Sequence, residues 1–185
     1  MPLNNPENTI REAMRLVESD RRSEIRLNAN GGNSILIVCD PMKEKEYITH
    51  LEHLLPDESY TIIDLNKCLI DFVSDHKSEL IELFNLLQSA TQEIFKAPAG
   101  EESQDLFKEI MSQIQKSLNE NKVPVLVNTG SLYGTGMHNI HLMENDIVMK
   151  AALPLIILYP ATIEPDRIMF LGKQSASKYR CMIIQ

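Results

Sequence analysis

What the chain lacks narrows its role before any motif is considered. It has three cysteines, Cys39, Cys68 and Cys181, isolated and odd in number, with no Cys-x-x-Cys pair. A zinc knuckle and a dithiol redox couple are therefore unsupported. Cys39 ends an apolar run and Cys181 begins one, the usual seat of a small buried thiol. There is no surplus of positive charge: 18 Lys+Arg stand against 26 Asp+Glu, a net charge of −8. That excludes a chain whose whole surface grips nucleic acid. The longest apolar run, residues 151–160, is far shorter than the roughly 20 residues a membrane helix needs. Met1-Pro2-Leu3-Asn4-Asn5-Pro6 has no basic region ahead of an apolar stretch. No secretory signal is read there, and a cytoplasmic, reducing compartment is expected.

Several catalytic motifs are missing as well. Neither Gly-x-x-x-x-Gly-Lys-Ser/Thr nor Gly-x-Gly-x-x-Gly occurs, nor does a Gly-x-Ser-x-Gly nucleophile elbow. His138-x-x-His141-x-x-Glu144 and His50-x-x-His53 place ligand types near one helical face. They lack the fixed further ligand that a closed zinc site uses. Asp40 and Asp64 end candidate strands read as adjacent, where their carboxylates could face one cleft. A partner for general acid–base work is not indicated. No catalytic residue, metal or cofactor is expected.

What is present is ordinary globular composition, 43% hydrophobic and 24% charged, in a chain of single-domain length. Residues 8–27 read as an amphipathic helix whose five arginines are balanced by Glu12, Glu18, Asp20 and Glu24 together with Glu7 just ahead of it, a self-paired, solvated face. A turn cluster follows at 28–33, so residues 1–33 form an N-terminal helix and turn. Residues 34–185 form a single α/β domain. Ile35–Cys39 is a β-branched apolar run, the mark of a strand buried on both faces of a parallel sheet. A helix from Pro41 to Pro56 and a strand at Tyr60–Asp64 complete a parallel crossover unit.

Residues 66–97 and 102–120 are predicted helical, a helical insertion at about 66–120, with a turn at 97–100. Strands follow at Val123–Asn128 and Leu155–Tyr159, with a helix from His138 to Ala152 between them. Shorter final strands are read at Arg167–Leu171 and Tyr179–Ile184. The fold expected is α/β, an open, mostly parallel sheet with helices on both faces and an N-terminal helix.

The acidity is regional. Residues 40–120 hold 7 Lys+Arg against 17 Asp+Glu, a net −10, whereas residues 121–185 hold 6 against 4, a net +2. A local nucleic-acid contact through Arg21, Arg22, Arg26, Lys178 and Arg180 is left open, and the acidic middle offers a face for a basic partner.

The loop Thr129–Gly136 follows a buried strand and leads into a helix, the place where open α/β sheets take ligands. Thr129, Gly130, Gly134, Gly136 and His138 are the candidate ligand-binding residues, since amides of such a loop can cradle a phosphate. The loop has no lysine to meet the charge.

The C-terminal third has a distinctive motif order: Val123–Asn128, Thr129-Gly130, Tyr133 and His138 opening a helix. Leu153–Pro160, Ile168–Gly172 and Lys178-Tyr179-Arg180 follow. This order resembles BrxB, a bacterial domain family encoded in BREX phage-resistance islands. The pattern is carried by Tyr133, His138, Pro160, Gly172, Tyr179 and Arg180. The likeness covers roughly residues 123–182 and is loose over 34–73. Ala161 stands where the family commonly has Gly, Lys178 where it often has a first Tyr, and Phe170-Leu171 transposes its apolar pair. The resemblance implies a non-catalytic scaffold component of a cytoplasmic antiphage complex, a partner of a PglZ-type alkaline-phosphatase-like protein, with any nucleic-acid contact indirect and no membrane. The alternative from the residues alone is a small nucleotide- or phosphate-binding protein using loop 129–136.

Overall fold

A computed structural model describes residues 5–18, 22–87, 91–97, 105–165, 167–176 and 180–185. Two helices, α1 (Pro6–Glu18) and α2 (Arg22–Asn28), occupy the N-terminal segment read as one helix. Arg22 donates from its guanidinium to the carbonyl of Val17 at 3.0 and 2.8 Å, satisfying an acceptor near the end of α1. Strand β1 (Ser34–Cys39) is buried along its whole length. A 3-10 turn at Pro41–Lys43 leads into α3 (Glu44–Leu54), and β2 (Tyr60–Asp64) follows.

The helical middle contains α4 (Leu65–Asp75), α5 (Lys77–Leu87), a 3-10 turn at Thr91–Ile94 and α6 (Leu106–Asn119). Then come β3 (Val123–Val127), a 3-10 turn at Thr129–Leu132, α7 (Asn139–Met143), α8 (Asp146–Lys150) and β4 (Leu155–Glu164). The chain ends in β5 (Arg167–Phe170), β6 (Gln174–Ser175) and β7 (Met182–Ile184).

The sheet runs β2-β3-β4-β1-β7, and every neighbouring pair on that path is parallel. The fold is thus the α/β sheet the apolar runs predicted. The first crossover, β1 to β2, runs one way across the sheet, and the next two return. Right-handed connections therefore place α3 on one face and α4 to α8 on the other. Alternation along β1 divides its side chains between the faces. Ile35, Ile37 and Cys39 pack with Ile10, Leu16, Tyr47 and Leu51 of α1 and α3. Leu36 and Val38 pack with Phe72, Ile110, Ile114 and Leu142 of α4, α6 and α7. Each such aliphatic or aromatic side chain contributes about 1.5–3 kcal/mol when fully buried.

Three further expectations need correction. Asp40 and Asp64 do not end adjacent strands, because β3 and β4 lie between β1 and β2. Each carboxylate instead accepts helix-start amides, Asp40 from Met42 at 2.8 Å and Asp64 from Asn66 and Lys67 at 2.9 and 3.2 Å. The helix expected over His138–Ala152 is two short helices. Asn145 interrupts it by accepting the amide of Ile147 at 3.0 Å, which starts a new turn. Strand β4 continues past Tyr159. It pairs with β1 as far as Cys39↔Pro160, then antiparallel with β5 from Ala161↔Phe170 to Glu164↔Arg167.

Among the described residues, no helix is long and apolar enough to cross a membrane.

Candidate functional site

The carboxyl ends of β3 and β4 open onto a cavity of about 320 Å³. Asn128 leaves β3 in the left-handed region, φ 56° and ψ 38°, which turns the chain into the 3-10 turn. The beginning of the candidate loop is structural. The hydroxyl of Thr129 is buried and donates to the carbonyl of Leu158 at 3.0 Å, tying the loop to β4. Gly130 faces Leu171. Thr135 then steadies the bend, its hydroxyl donating to Leu132 O at 2.7 Å and accepting the Met137 amide at 3.3 Å.

The second half of the loop forms the cavity wall, with Tyr133, Gly134, Gly136 and His138 all on it. Gly136 has φ +76°, and a Cβ there would stand 2.7 Å from Cβ of Gln92, so glycine is needed for both backbone and space. Sequence reasoning missed Gln92, Asn139, Phe170 and Gln174, which also line the cavity. Asn139 simply follows His138 at the start of α7. Gln92, Phe170 and Gln174 come from segments far apart in the chain and are brought to loop 129–136 by the β4–β5–β6 pairing and the 3-10 turn at Thr91–Ile94. The rings of Tyr159 and Phe170 stack at 4.8 Å with 27° between planes.

Asn139 is the most informative of these residues. It is only 3% exposed, and its Oδ1 is buried with no hydrogen-bond partner among the described residues. Leaving such an acceptor unpaired costs about 1–3 kcal/mol.

The charged groups nearby are few. Among the described residues, no Lys, Arg, Asp or Glu lines the cavity. His138 Nδ1 lies 3.4 Å from Gln174 Nε2, and its ring stands edge-on to His141 at 5.4 Å. His141 Nδ1 accepts the His138 amide at 3.2 Å. Burial holds its pKa below the ordinary value, helped by Lys96 and His138. Among the described residues, no group of three or more His, Cys, Asp and Glu side chains is placed to hold a metal ion. Glu144 instead lies 4.0 Å from the guanidinium of Arg180.

At the start of α3, burial raises the Glu44 carboxyl's pKa. The Asn128 amide that it accepts opposes this, and the charge of Asp64 adds to it. Its Oε1 is buried without a partner among the described residues. The turn after β1, where a strand–loop–helix phosphate binder carries its glycine loop, thus presents acidic groups.

Of the remaining pattern positions, Pro160 lies in β4 and Gly172 in the turn between β5 and β6. Tyr179 falls outside the described residues, as do Arg21 and Lys178 of the proposed basic set. Arg26 donates to the carbonyls of Met149 and Ala151 at 3.0 and 2.8 Å, and Arg22 to Val17, so both guanidinium groups are engaged internally. No family model, curated protein or solved structure matches the chain.

Proposed function

We propose that this chain is a non-catalytic interaction subunit of a BREX-like antiphage assembly, docking a PglZ-type protein along α4 and α5. The observation that carries the reading is α5, which buries none of its residues although its sequence is rich in Leu, Ile and Phe. Ile81, Phe84 and Leu86 are 54%, 58% and 79% exposed. Leu80, Ile81 and Phe84 line an apolar groove with Val73 of α4. Contiguous exposed apolar surface of this kind is a hallmark of protein interfaces. Exposed Asp71, Asp75, Glu79 and Glu82 lie on the same two helices, which suits a partner with basic residues at the rim of its contact. The motif order from Val123 to Arg180 supports the choice of assembly.

Co-expression of the tagged chain with the proteins of such a defence system tests the proposal. Retention of the PglZ-type protein is expected, and Ile81→Glu with Phe84→Glu should abolish it. Both positions are exposed, so the double variant should keep its Tm within about 2 °C. A wild-type chain that retains none of those proteins overturns the reading.

A further inference from the structure

We infer that the cavity at the carboxyl ends of β3 and β4 binds a neutral, planar heterocycle bearing an N–H donor, a nucleobase or a ring of that kind, rather than a phosphate. Its volume of about 320 Å³ lies at the small end of the range for ligand pockets. That suits one ring system better than a whole nucleotide. Among the described residues the wall carries no lysine or arginine, and α7 at five residues is too short to supply a useful helix dipole. No described side chain of full positive charge there meets a phosphate, which favours neutral ligands.

Recognition falls to carboxamides and rings. Gln92, Asn139 and Gln174 lie on the wall, and a carboxamide carries both a donor and an acceptor, the combination that pairs with the edge of a base. Tyr133, 55% exposed, and the ring of His138 supply faces on which a flat ligand can stack. Asn139 adds the specific demand. Its oxygen lacks a donor among the described residues, and the final torsion of an Asn side chain is broad. The carboxamide can therefore turn to meet a ligand N–H without leaving its seat. This site is separate from the α4–α5 surface, so failure of either proposal leaves the other standing.

Adenosine, guanosine, cytidine and uridine, each at about 1 mM, are the probes, with inorganic phosphate as the contrasting arm. Thermal unfolding and saturation-transfer NMR are the readouts. At tenfold excess over its Kd, a bound nucleoside should raise the Tm by roughly 3–5 °C, with saturation transfer to base protons. Asn139→Leu removes the acceptor at similar size and should weaken binding at least about tenfold. Gln174→Ala, on an exposed two-residue strand, should weaken binding several-fold with the Tm of the free protein unchanged. That variant keeps the test decisive if Asn139→Leu fails to fold. Absence of both shift and transfer for all four nucleosides overturns the inference. An equal shift with inorganic phosphate overturns it too, as does nucleoside binding that neither variant alters.

Discussion

A Cβ on Gly32 would overlap the main-chain carbonyl of Arg180, so the turn after α2 and the chain entering β7 pass backbone against backbone. Arg180, a position of the family-like pattern, is therefore tied to the fold through its main chain as well as through the guanidinium that faces Glu144.

The first prediction follows from that approach. Gly32→Ala must push the two segments apart and should destabilise by about 1–3 kcal/mol, the usual overpacking range. At this chain length that is a fall in Tm of roughly 2–12 °C. Gly31 is the control: it has φ +86° and open space around it. Gly31→Asn should cost much less, since Asn tolerates positive φ. Calorimetry of both variants checks the contrast, which equal losses would contradict.

Glu44 should make stability depend on pH. Its folded pKa is raised above the ordinary value of 4.5, chiefly by burial. The native state therefore holds its proton more tightly than the unfolded chain does. Above the raised value the ionised carboxylate opposes folding, and below 4.5 that penalty is gone. Glu44→Gln should accordingly raise the Tm at neutral pH, with the advantage shrinking as pH falls through the carboxylate range. Melting curves across that range are the check, and a variant that is less stable at neutral pH contradicts the assignment.

Arg26 should behave as a structural residue. Its guanidinium bridges from α2 to two carbonyls at the end of α8. Arg26→Ala should cost about 1.5–3 kcal/mol, the range for hydrogen bonds to a charged group. Any weak affinity for DNA should keep the same salt slope, since a lost phosphate contact would lower it by nearly one. A changed slope with unaltered stability would reverse the assignment.

The three cysteines should be inert in the native protein. All are free and buried, and desolvation pushes Cys68 up to about 11, Cys181 up to about 12 and Cys39 further still. The thiolate is the reactive form. Brief iodoacetamide treatment at neutral pH should add nothing to the folded chain and three adducts to the unfolded one, counted by mass spectrometry. An adduct on native Cys68 would show that α4 opens readily.

The strands were legible because a sheet buried on both faces writes itself as apolar runs. Ile35–Cys39 and Tyr60–Asp64 could be read from residue type alone. Interruptions carried by a single polar side chain were harder. Asn145 looks like any helix residue until its carboxamide caps α8. Pro160 looks like a strand end until β4 is seen to exchange its parallel neighbours for β5. The order of strands depends on pairing between distant segments, so Asp40 and Asp64 seemed neighbours when two strands separate them. The candidate loop was correctly placed at a sheet end, yet Thr129 and Gly130 serve the fold while Gly134, Gly136 and His138 face the cavity. Asn139 and Gln174 had no signal in the sequence, because their significance lies in what surrounds them.

The position of β1 also bears on how the chain is made. It leaves the ribosome well before its two neighbours in the sheet, β4 and β7, which lie in residues 155–164 and 182–184. At about 5–20 residues per second, a strand buried along its whole length waits many seconds for its pairing partners. Its company in that interval is α1 and α3, which pack on one of its faces. A nascent chain stalled before residue 155 would thus have α1 and α3 to cover one face of β1 but would present both of its edges open to aggregation.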